Sequence, residues 1–267
     1  MPVTVVIPVW DDYVRYLPDA VASVREQAPE ASIVIVDNAS RMSIPEFPGS
    51  AVVRARQRLT VGGARNLGLE HVETDLVLVL DADDRLLPGT LDLLTRRMGA
   101  DEGLAICATT ILEAETGRRH RTPRPFVARL VRWPRLFAFV DAIWSLLPIQ
   151  GCAVFRTQHA REAGGYADAS WADDWVLAVS LAFRGRVEVH ERHGRYYRAT
   201  PSSVSSARRS HRDLQAAARL VRDRIRSDRA VPRWARLLLP LVAGMQAAAI
   251  FALRPAYLLL GRRSVGH

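Results

Sequence analysis

The segment Leu76–Asp84, which has the sequence LVLVLDADD, constrains the fold of this 267-residue chain more than any other stretch. Its five consecutive apolar residues predict a strand that is buried on both faces, as in a parallel sheet covered by helices. Three carboxylates follow the strand at once, at Asp81, Asp83 and Asp84. Because open α/β sheets bind ligands beyond the carboxyl ends of their strands, the acids stand where such a sheet places its site.

These three acids need a counter-charge. Like charges at this spacing repel one another, and removing them from water is costly unless a positive group compensates them. A divalent cation that carries a diphosphate is the natural compensating group, because Mg²⁺ and Mn²⁺ take carboxylate and phosphate oxygens as ligands. The alternative is an acidic loop that caps the next helix, with Pro88 in the first turn of that helix.

Strands and helices alternate along the first part of the chain. The predicted strands are Val3–Val9, Ser32–Val36, Val52–Val53, Leu76–Leu80 and Leu104–Thr110. The predicted helices follow Leu17, follow Thr60 and cover Pro88–Met98. This alternation predicts an α/β fold with a doubly wound, mostly parallel, Rossmann-like sheet.

The charge of the chain is uneven and its thiols are few. The net charge is +9, every basic residue is arginine, and the arginines concentrate in residues 118–135 and 208–263. A basic surface implies an anionic partner such as nucleic acid, anionic lipid or a phosphorylated substrate. Cys107 and Cys152 lie in apolar sequence, which predicts packed, reduced thiols and a cytoplasmic setting. Met1 is followed directly by the first predicted strand, so no signal peptide is expected.

A second acid ends a strand in the same unit. Asp37 ends the second strand much as Asp81 ends the fourth, which suggests a nucleotide held across the sheet edge, although dinucleotide-binding folds also carry an acid there. The segment Pro8–Asp12 lacks the Gly-x-Gly-x-x-Gly fingerprint, and the chain lacks a Walker-type loop, so NAD and P-loop chemistry are disfavoured. The pair Gly62–Gly63 before Arg65 either approaches the nucleotide or simply begins a helix.

Four segments in this order and spacing resemble the inverting family-2 glycosyltransferases of the GT-A fold: VTVVIPVW, IVIVDNAS, VGGARNLGL and LVLVLDADD. The resemblance implies a nucleotide-sugar-dependent transferase, with Pro8, Asp37 and Arg65 in the nucleotide-sugar site. Asp81 and Asp83 match the DxD motif of the family, which implies that they bind the ribose and the metal-diphosphate. The implied cofactor is a divalent metal, Mg²⁺ or Mn²⁺, with Asp83 and Asp81 as its ligands.

The second half of the resemblance concerns the acceptor side. Gly164–Asp168 (GGYAD) resembles the Gly-Gly-Phe-Asp-Glu turn of the family, and Trp171–Trp175 (WADDW) resembles its Glu-Asp motif at a helix start. Inverting transfer is a single in-line displacement, so a carboxylate must take the proton of the acceptor hydroxyl. The matched motif implies that Asp174 is this catalytic base and that Asp173 supports or replaces it. The alternative is that both acids merely cap a helix N-terminus.

One segment departs from the family pattern. Residues 196–202 resemble the Tyr-Arg-x-His-x-x-Ser segment of the family, but the usual histidine is absent. Arg198, His193 and His190 are the candidate substitutes for contact with the metal or diphosphate. If none of these residues substitutes for the histidine, the DxD acids and the phosphates alone bind the metal.

Two basic and apolar segments remain. Arg118–Pro148 mixes arginines with aromatic residues, so it either lines the acceptor site or lies on anionic lipid; the alternative is a partly buried helical insert. His211–Arg229 has the apolar spacing of an amphipathic helix. The apolar run Leu237–Leu253 would extend about 25 Å as a helix, short of a bilayer core of about 30 Å. It therefore predicts helices that lie on the membrane surface, or else a helix packed on the catalytic domain.

The sequence as a whole predicts a GT-A catalytic domain over residues 1–205, followed by basic amphipathic and apolar helices over residues 206–267. Within the domain, residues 1–115 form the nucleotide-sugar half and residues 116–205 the acceptor half. The predicted enzyme acts at the inner face of the cell membrane, peripheral or monotopic, on a glycan or lipid-linked acceptor in cell-envelope or lipid-linked glycan synthesis. The alternatives are a catalytically silent membrane scaffold and a basic nucleic-acid-binding protein, and the latter is disfavoured because no zinc-finger or RNP-like motif is present.

Overall fold

The computed structural model describes residues 1–113, 123–198 and 210–261. The strands are β1 (Val3–Val9), β2 (Ser32–Asp37), β3 (Ser50–Arg54), β4 (Leu76–Val79), β5 (Arg85–Leu86), β6 (Leu104–Glu113), β7 (Ala153–Arg156) and β8 (Arg186–Tyr197). The helices are α1 (Leu17–Arg25), α2 (Val61–Glu70), α3 (Thr90–Ala100), α4 (Pro125–Leu130), α5 (Pro134–Ile143), α6 (Thr157–Glu162), α7 (Asp173–Ala182), α8 (His211–Ser227), α9 (Arg233–Leu237) and α10 (Leu239–Gly261). A 3₁₀ helix, Asp11–Tyr16, follows β1.

The strands form one mixed sheet in the order β3-β2-β1-β4-β7-β6-β8-β5. The four strands β1 to β4 are parallel to one another, and β6 is parallel to β8. Strand β7 is antiparallel to β4 and β6, and β5 is antiparallel to β8. The predicted α/β class with a mostly parallel sheet is confirmed.

Both faces of the central strands are buried, which explains their continuous apolar sequences. Val5 and Ile7 of β1 point into the core that α1 and α3 cover, whereas Val6 points into the core under α2. The side chains of β4 alternate in the same way: Leu78 lies in the core under α1 and α3, and Val77 lies in the core under α2. This alternation with period two is the pattern expected when helices cover both faces of a sheet.

Several details differ from the sequence predictions. Helix α3 begins at Thr90, after Gly89 in the left-handed conformation (φ +73°), so Pro88 precedes the helix and does not occupy its first turn. Strands β5, β7 and β8 were not predicted. In β8 charged residues interrupt the apolar pattern, because much of the strand is only partly buried. Cys107 and Cys152 are buried free thiols, as predicted.

The C-terminal helices pack on the rest of the protein. Helix α8 packs against α7 and α10, and α10 also contacts α5. Helix α10 buries Leu239, Val242, Gln246 and Ile250 along one side. This is the packed arrangement that the sequence left as an alternative. The predicted boundary at residue 205, and the start of the basic insert at Arg118, fall outside the described residues. No helix in the described ranges has the length and apolarity needed to cross a bilayer.

Candidate active site

The acids of LVLVLDADD lie where β4 ends, at the edge of the sheet where α2 and α7 begin. Because β1 lies between β2 and β4, Asp37 and Asp81 flank the end of β1. Asp83 is 8% exposed and Asp84 is 1% exposed. The structure therefore places the predicted donor-side acids at one sheet edge.

Arg65 joins the two acidic motifs. It is buried in α2, and its two terminal nitrogens donate to Asp81 Oδ1 and to Asp173 Oδ2, each at 2.7 Å. Burial opposes the ionisation of Asp81, but the guanidiniums of Arg65 and Arg195 outweigh that effect and hold its pKa below the usual value. Arg65 was predicted to contact the nucleotide. In the structure it connects the end of β4 to the start of α7.

A second buried arginine, which the sequence did not indicate, comes from β8. Arg195 forms an ion pair with Asp84, approaches Asp81 Oδ2 at 3.3 Å and donates to the carbonyl of Gln150 at 2.7 Å. The other Asp84 oxygen accepts from the backbone N–H of Arg198 at 3.0 Å. Through these contacts with Arg195 and Arg198, Asp84 connects β8 and the residue after it to the end of β4. The only signal for such a residue was the excess of acids, which required positive charge from elsewhere in the chain.

The Asp83 carboxylate differs from its neighbours, because no described side chain forms an ion pair or hydrogen bond with it. Burial raises the pKa of Asp83 to about 7, and the carboxylates of Asp84 and Asp81 add to the rise. A buried oxygen donor that is paired with no guanidinium fits the needs of a hard divalent cation. Both oxygens of Asp81 already face guanidiniums. Asp83 is therefore the carboxylate best placed to hold a metal, and Asp81 could join it through the second lone pair of an oxygen that already faces a guanidinium.

Helix α7 presents the two predicted catalytic acids in its first turn. Ala172, which precedes the helix, has a left-handed backbone (φ +60°), a conformation that costs free energy for a residue with a Cβ. Asp173 is held by Arg65, whereas no described side chain donates to Asp174. Burial raises the pKa of Asp174 to about 6; the Asp173 carboxylate adds to the rise and Arg65 opposes it. Asp174 also lines a cavity of about 250 Å³.

The start of α2 packs closely against the residues that follow the turn Gly164–Tyr166. Thr60 caps the helix through Gly63, and Gly62 donates to the carbonyl of Ala169 at 2.9 Å. A Cβ on Gly62 would lie 1.9 Å from the carbonyl oxygen of Ala167. The glycine pair therefore begins a helix and allows close packing, which was one of the two predicted alternatives.

Asn66 is a positioning residue that the sequence analysis missed. Its amide accepts from the N–H of Tyr166 at 2.8 Å and donates to the carbonyl of Tyr166 at 3.0 Å. Gly164 and Gly165 adopt left-handed conformations in this turn, at φ +79° and +67°. Asn66 thus holds the turn that leads into α7, and it belongs to the same VGGARNLGL segment as Arg65.

On the nucleotide side, Asp37 is 3% exposed and accepts from the N–H of Ser40 at 2.8 Å. Its other oxygen forms an ion pair with Arg54, whose side chain is 60% exposed. Pro8 is buried in β1 beside Val36 of β2. The structure therefore brings Pro8 and Asp37 together on adjacent strands.

Of the three candidate substitutes for the missing histidine, one reaches the acids. Arg198 donates to the carbonyl of Asp83 at 3.1 Å and lies over the ring of Tyr16 at 4.6 Å. His193 instead contacts Thr110, and His190 contacts Glu188. Residues 199–209, which follow Arg198, are outside the described ranges.

Solved structures share this fold. S. aureus TarS residues 1–349 in complex with UDP-GlcNAc has a TM-score of 0.68 and 17% identity, over 86% of this chain and 68% of that chain. The same protein in complex with UDP has a TM-score of 0.69 and 16% identity, over 94% and 72%. At these identities the likeness concerns the fold. No curated protein matches the chain significantly.

The sequence resemblance is also tested by a family model, which is described as glycosyl transferase family 2 and matches residues 4–164. The match contains the strands β1 to β4, the Arg65 helix and the acids after β4. It also reaches the first glycine of the turn before α7. Because the match covers more than half of the chain, the protein belongs to glycosyl transferase family 2.

Proposed function

We propose that the protein transfers a sugar from a nucleoside diphosphate sugar to a hydroxyl group, with inversion at the sugar carbon, in the synthesis of a cell-envelope or lipid-linked glycan. The observation that carries the proposal is the Arg65 bridge. It connects Asp81 of the DxD motif to Asp173, which adjoins Asp174, a carboxylate that no described side chain pairs. One buried guanidinium thus couples a donor-binding motif to a candidate base.

The donor lies along the ends of β1, β2 and β4 in this proposal. Pro8 and Asp37 lie next to the nucleoside. Asp81 and Asp83 face the ribose and diphosphate, and Arg65 holds Asp81 from the side of the protein. The TarS complexes with UDP-GlcNAc and UDP support a nucleotide sugar as the donor, because those structures share the fold. The placement also agrees with the general position of ligands in α/β sheets.

A divalent cation fits this site on grounds of charge. Five carboxyl groups, those of Asp81, Asp83, Asp84, Asp173 and Asp174, face the two buried guanidiniums of Arg65 and Arg195. Asp83, joined by Asp81, would hold Mg²⁺ or Mn²⁺, which would supply charge neutralisation for the diphosphate. The arginines limit the repulsion among the remaining acids and keep them in position.

Asp174 acts as the base. Its carboxylate takes the proton of the acceptor hydroxyl while the hydroxyl oxygen bonds to the sugar carbon. The bond from that carbon to the diphosphate oxygen breaks, and the nucleoside diphosphate leaves with the electron pair. A pKa of about 6 leaves Asp174 ionised at neutral pH and still basic enough to accept a proton. Asp173, held by Arg65, positions the start of α7.

The protein also binds an anionic membrane surface in this proposal. Helix α4 exposes Phe126, helix α5 exposes Leu136, and Trp133, which directly precedes α5, is also exposed. Arg124 and Arg132 are exposed arginines close to them in sequence. Aromatic side chains beside arginine head groups suit the interface of an anionic bilayer. Sedimentation with vesicles that contain an anionic lipid should retain the protein, and a Trp133→Ala, Leu136→Ala variant should bind more weakly.

The donor experiment tests the enzymatic proposal. Binding and slow hydrolysis of UDP-, GDP- and dTDP-sugars are measured with Mg²⁺ and with Mn²⁺, for the wild type and for Asp83→Asn. We expect one donor to bind in the presence of metal and to be turned over, and Asp83→Asn to lose at least about 100-fold in rate.

Asp92→Asn is the matched control, because Asp92 is an exposed acid of α3 that pairs only with Arg96 among the described residues. It should behave as the wild type. The proposal would be contradicted if Asp83→Asn turned over the donor at the wild-type rate, or if the wild type bound no donor of the panel.

A further inference from the structure

A cavity of about 250 Å³ adjoins the proposed base. It lies between the end of α5, the start of α7 and the C-terminal helices α8 and α10. Most of its described lining is apolar, including Trp144, Trp171, Trp175, Leu214 and Ile250. Asp174 contributes the carboxylate of this lining. Ligand sites are commonly apolar pockets of this kind with a few placed polar groups.

The polar groups of the lining are few: the Asp174 carboxylate, the Gln246 amide, the Ser145 hydroxyl and the indole N–H groups of the tryptophans. Gln246 donates to the carbonyl of Ala142 at 2.9 Å and accepts from Arg222, so both ends of its amide are used. The indole N–H of Trp175 donates to the carbonyl of Asp141. A sugar ring in this space has more hydroxyl groups than these few groups can pair, and each hydroxyl buried without a partner costs about 1–3 kcal/mol. A single hydroxyl directed at Asp174 carries no such penalty.

We propose that the acceptor is a lipid alcohol, whose aliphatic segment next to the reactive hydroxyl occupies this cavity. The inference rests on the proposed function, because it takes Asp174 as the base that receives the hydroxyl proton. The cavity then selects the acceptor by apolar contact, and the reaction bonds the lipid oxygen to the sugar carbon as the nucleoside diphosphate departs.

The surroundings of the cavity favour a lipid over a small aromatic compound. Two of the helices that border it carry exposed apolar side chains: Leu136 on α5, and Leu241, Met245 and Phe251 on α10. Trp133, which directly precedes α5, is exposed as well. A lipid chain that leaves the cavity would therefore meet further apolar surface on the same helices. A dry cavity of about 150 Å³ holds one benzene, so this one has room for roughly ten carbon atoms.

The test uses straight-chain primary alcohols from butanol to dodecanol as acceptors, with the donor that the nucleotide-sugar panel identifies. We expect kcat/KM for alkyl glycoside formation to rise about fourfold for each added methylene, which corresponds to about 0.8 kcal/mol of apolar transfer. The rise should level off near ten carbons, when the cavity is full. A free hexose should be a poorer acceptor than octanol.

Two variants change the cavity from helix α8. Ala218→Leu narrows it and should make the plateau begin at a shorter chain, whereas Leu214→Ala enlarges it and should extend the rise to longer chains. Ala216→Leu adds the same side chain to an exposed position of the helix and should match the wild type. Donor hydrolysis without acceptor, measured on every variant, shows whether that variant is folded and keeps a working donor site.

The outcomes separate the inference from the proposed function. If donor hydrolysis depends on Asp83 but kcat/KM is independent of alcohol length, or a hexose is the better acceptor, the lipid inference is overturned and the transferase stands. If Ala218→Leu and Leu214→Ala show the same dependence on alcohol length as the control Ala216→Leu, the cavity does not bind the acceptor. If no donor binds to the wild type, both proposals fall.

Discussion

Two adjacent acids in the first turn of α7 have different surroundings, and this difference supports the different roles proposed for them. Asp173 is held by Arg65 at 2.7 Å, so its carboxylate is committed to a structural contact. Asp174 has no such partner among the described side chains and faces the cavity. A group that must accept a proton needs to be both unpaired and close to the substrate. The geometry therefore favours Asp174 as the base.

The first prediction concerns the pH dependence of transfer. Because burial raises the pKa of Asp174 to about 6, kcat/KM should rise with pH through about 6 and level off above it. Asp174→Asn should reduce transfer by about 100- to 10,000-fold and leave donor affinity unchanged. Initial rates over pH 5–8, with donor binding measured separately, check this. A variant that keeps the wild-type rate would remove Asp174 from the mechanism.

The second prediction concerns Arg195. Its removal in Arg195→Gln leaves Asp84 buried without its ion-pair partner, which should lower the free energy of unfolding by about 3–5 kcal/mol. The loss should be smaller at low pH, where the Asp84 carboxyl is protonated, because burial already raises its pKa to about 6. Urea unfolding at pH 5 and pH 8 measures both effects.

Arg186→Gln is the control for this change. Arg186 lies on the same strand, but its ion pair with Asp101 is largely exposed, and exposed pairs contribute little. Its removal should leave the unfolding midpoint nearly unchanged. Equal effects of the two substitutions would show that the burial of Asp84 does not govern stability here.

At the scale of elements, the close packing of α2 on the turn before α7 sets the geometry of the site. Thr60, Gly62, Arg65 and Asn66 all contact the segment 166–173 from one helix. The start of α7 is therefore positioned in part by α2, although the two helices are far apart in sequence. Any change that separates them should lengthen the Arg65 to Asp173 contact.

The third prediction tests this packing with Gly62→Ala. The added Cβ would clash with the Ala167 carbonyl and touch the Cβ of Asp173, so the helix and the turn must separate. We expect at least a tenfold loss of transfer and a loss of about 1–3 kcal/mol in the free energy of unfolding. Gly244→Ala in α10 is the matched control, because nothing lies within 4 Å of its added Cβ. It should stabilise the protein by about 0.5–1 kcal/mol.

The sequence predicted the elements whose signals are local. Strand β4 and its acids are contiguous, so an apolar run and a charge cluster sufficed to locate them. The role of Arg195 could not be predicted, because its partner Asp84 is 111 residues away and β8 has no continuous apolar run. An arginine is usually exposed, so nothing in the sequence marked this one as buried. The sequence likewise gave no sign that Arg65 joins two motifs.

At the scale of the whole molecule, buried acid groups reduce stability above their ordinary pKa. Asp141 shows this outside the donor site. It is fully buried in α5, one carboxyl oxygen accepts from Leu146 at 2.8 Å, and the other has no hydrogen-bond partner among the described residues. Burial raises its pKa from 3.8 to about 7. Between about pH 4 and pH 7 the folded protein therefore keeps a proton on Asp141 that the unfolded chain has released.

The fourth prediction follows from that linkage. A raised folded-state pKa means that the contribution of Asp141 is intact below about pH 4 and is lost as pH rises to about 7. Asp141→Asn keeps the acceptor oxygen and removes the titration, so it should be more stable than the wild type at pH 8 by roughly 2–4 kcal/mol. Urea unfolding of both proteins between pH 4 and pH 8 tests this. A stability difference that is constant across the range would rule out titration of Asp141 as the cause.

The bridge made by Arg65 also limits how this chain can diverge. Its two partners lie 16 and 108 residues away, one on each side of the site, so a change at any of the three positions disturbs the other two. Substitutions that arise singly at Arg65, Asp81 or Asp173 are expected to be lost by selection. When related sequences are aligned, the three positions should be retained together or replaced together, and lineages with only one of them altered should be rare.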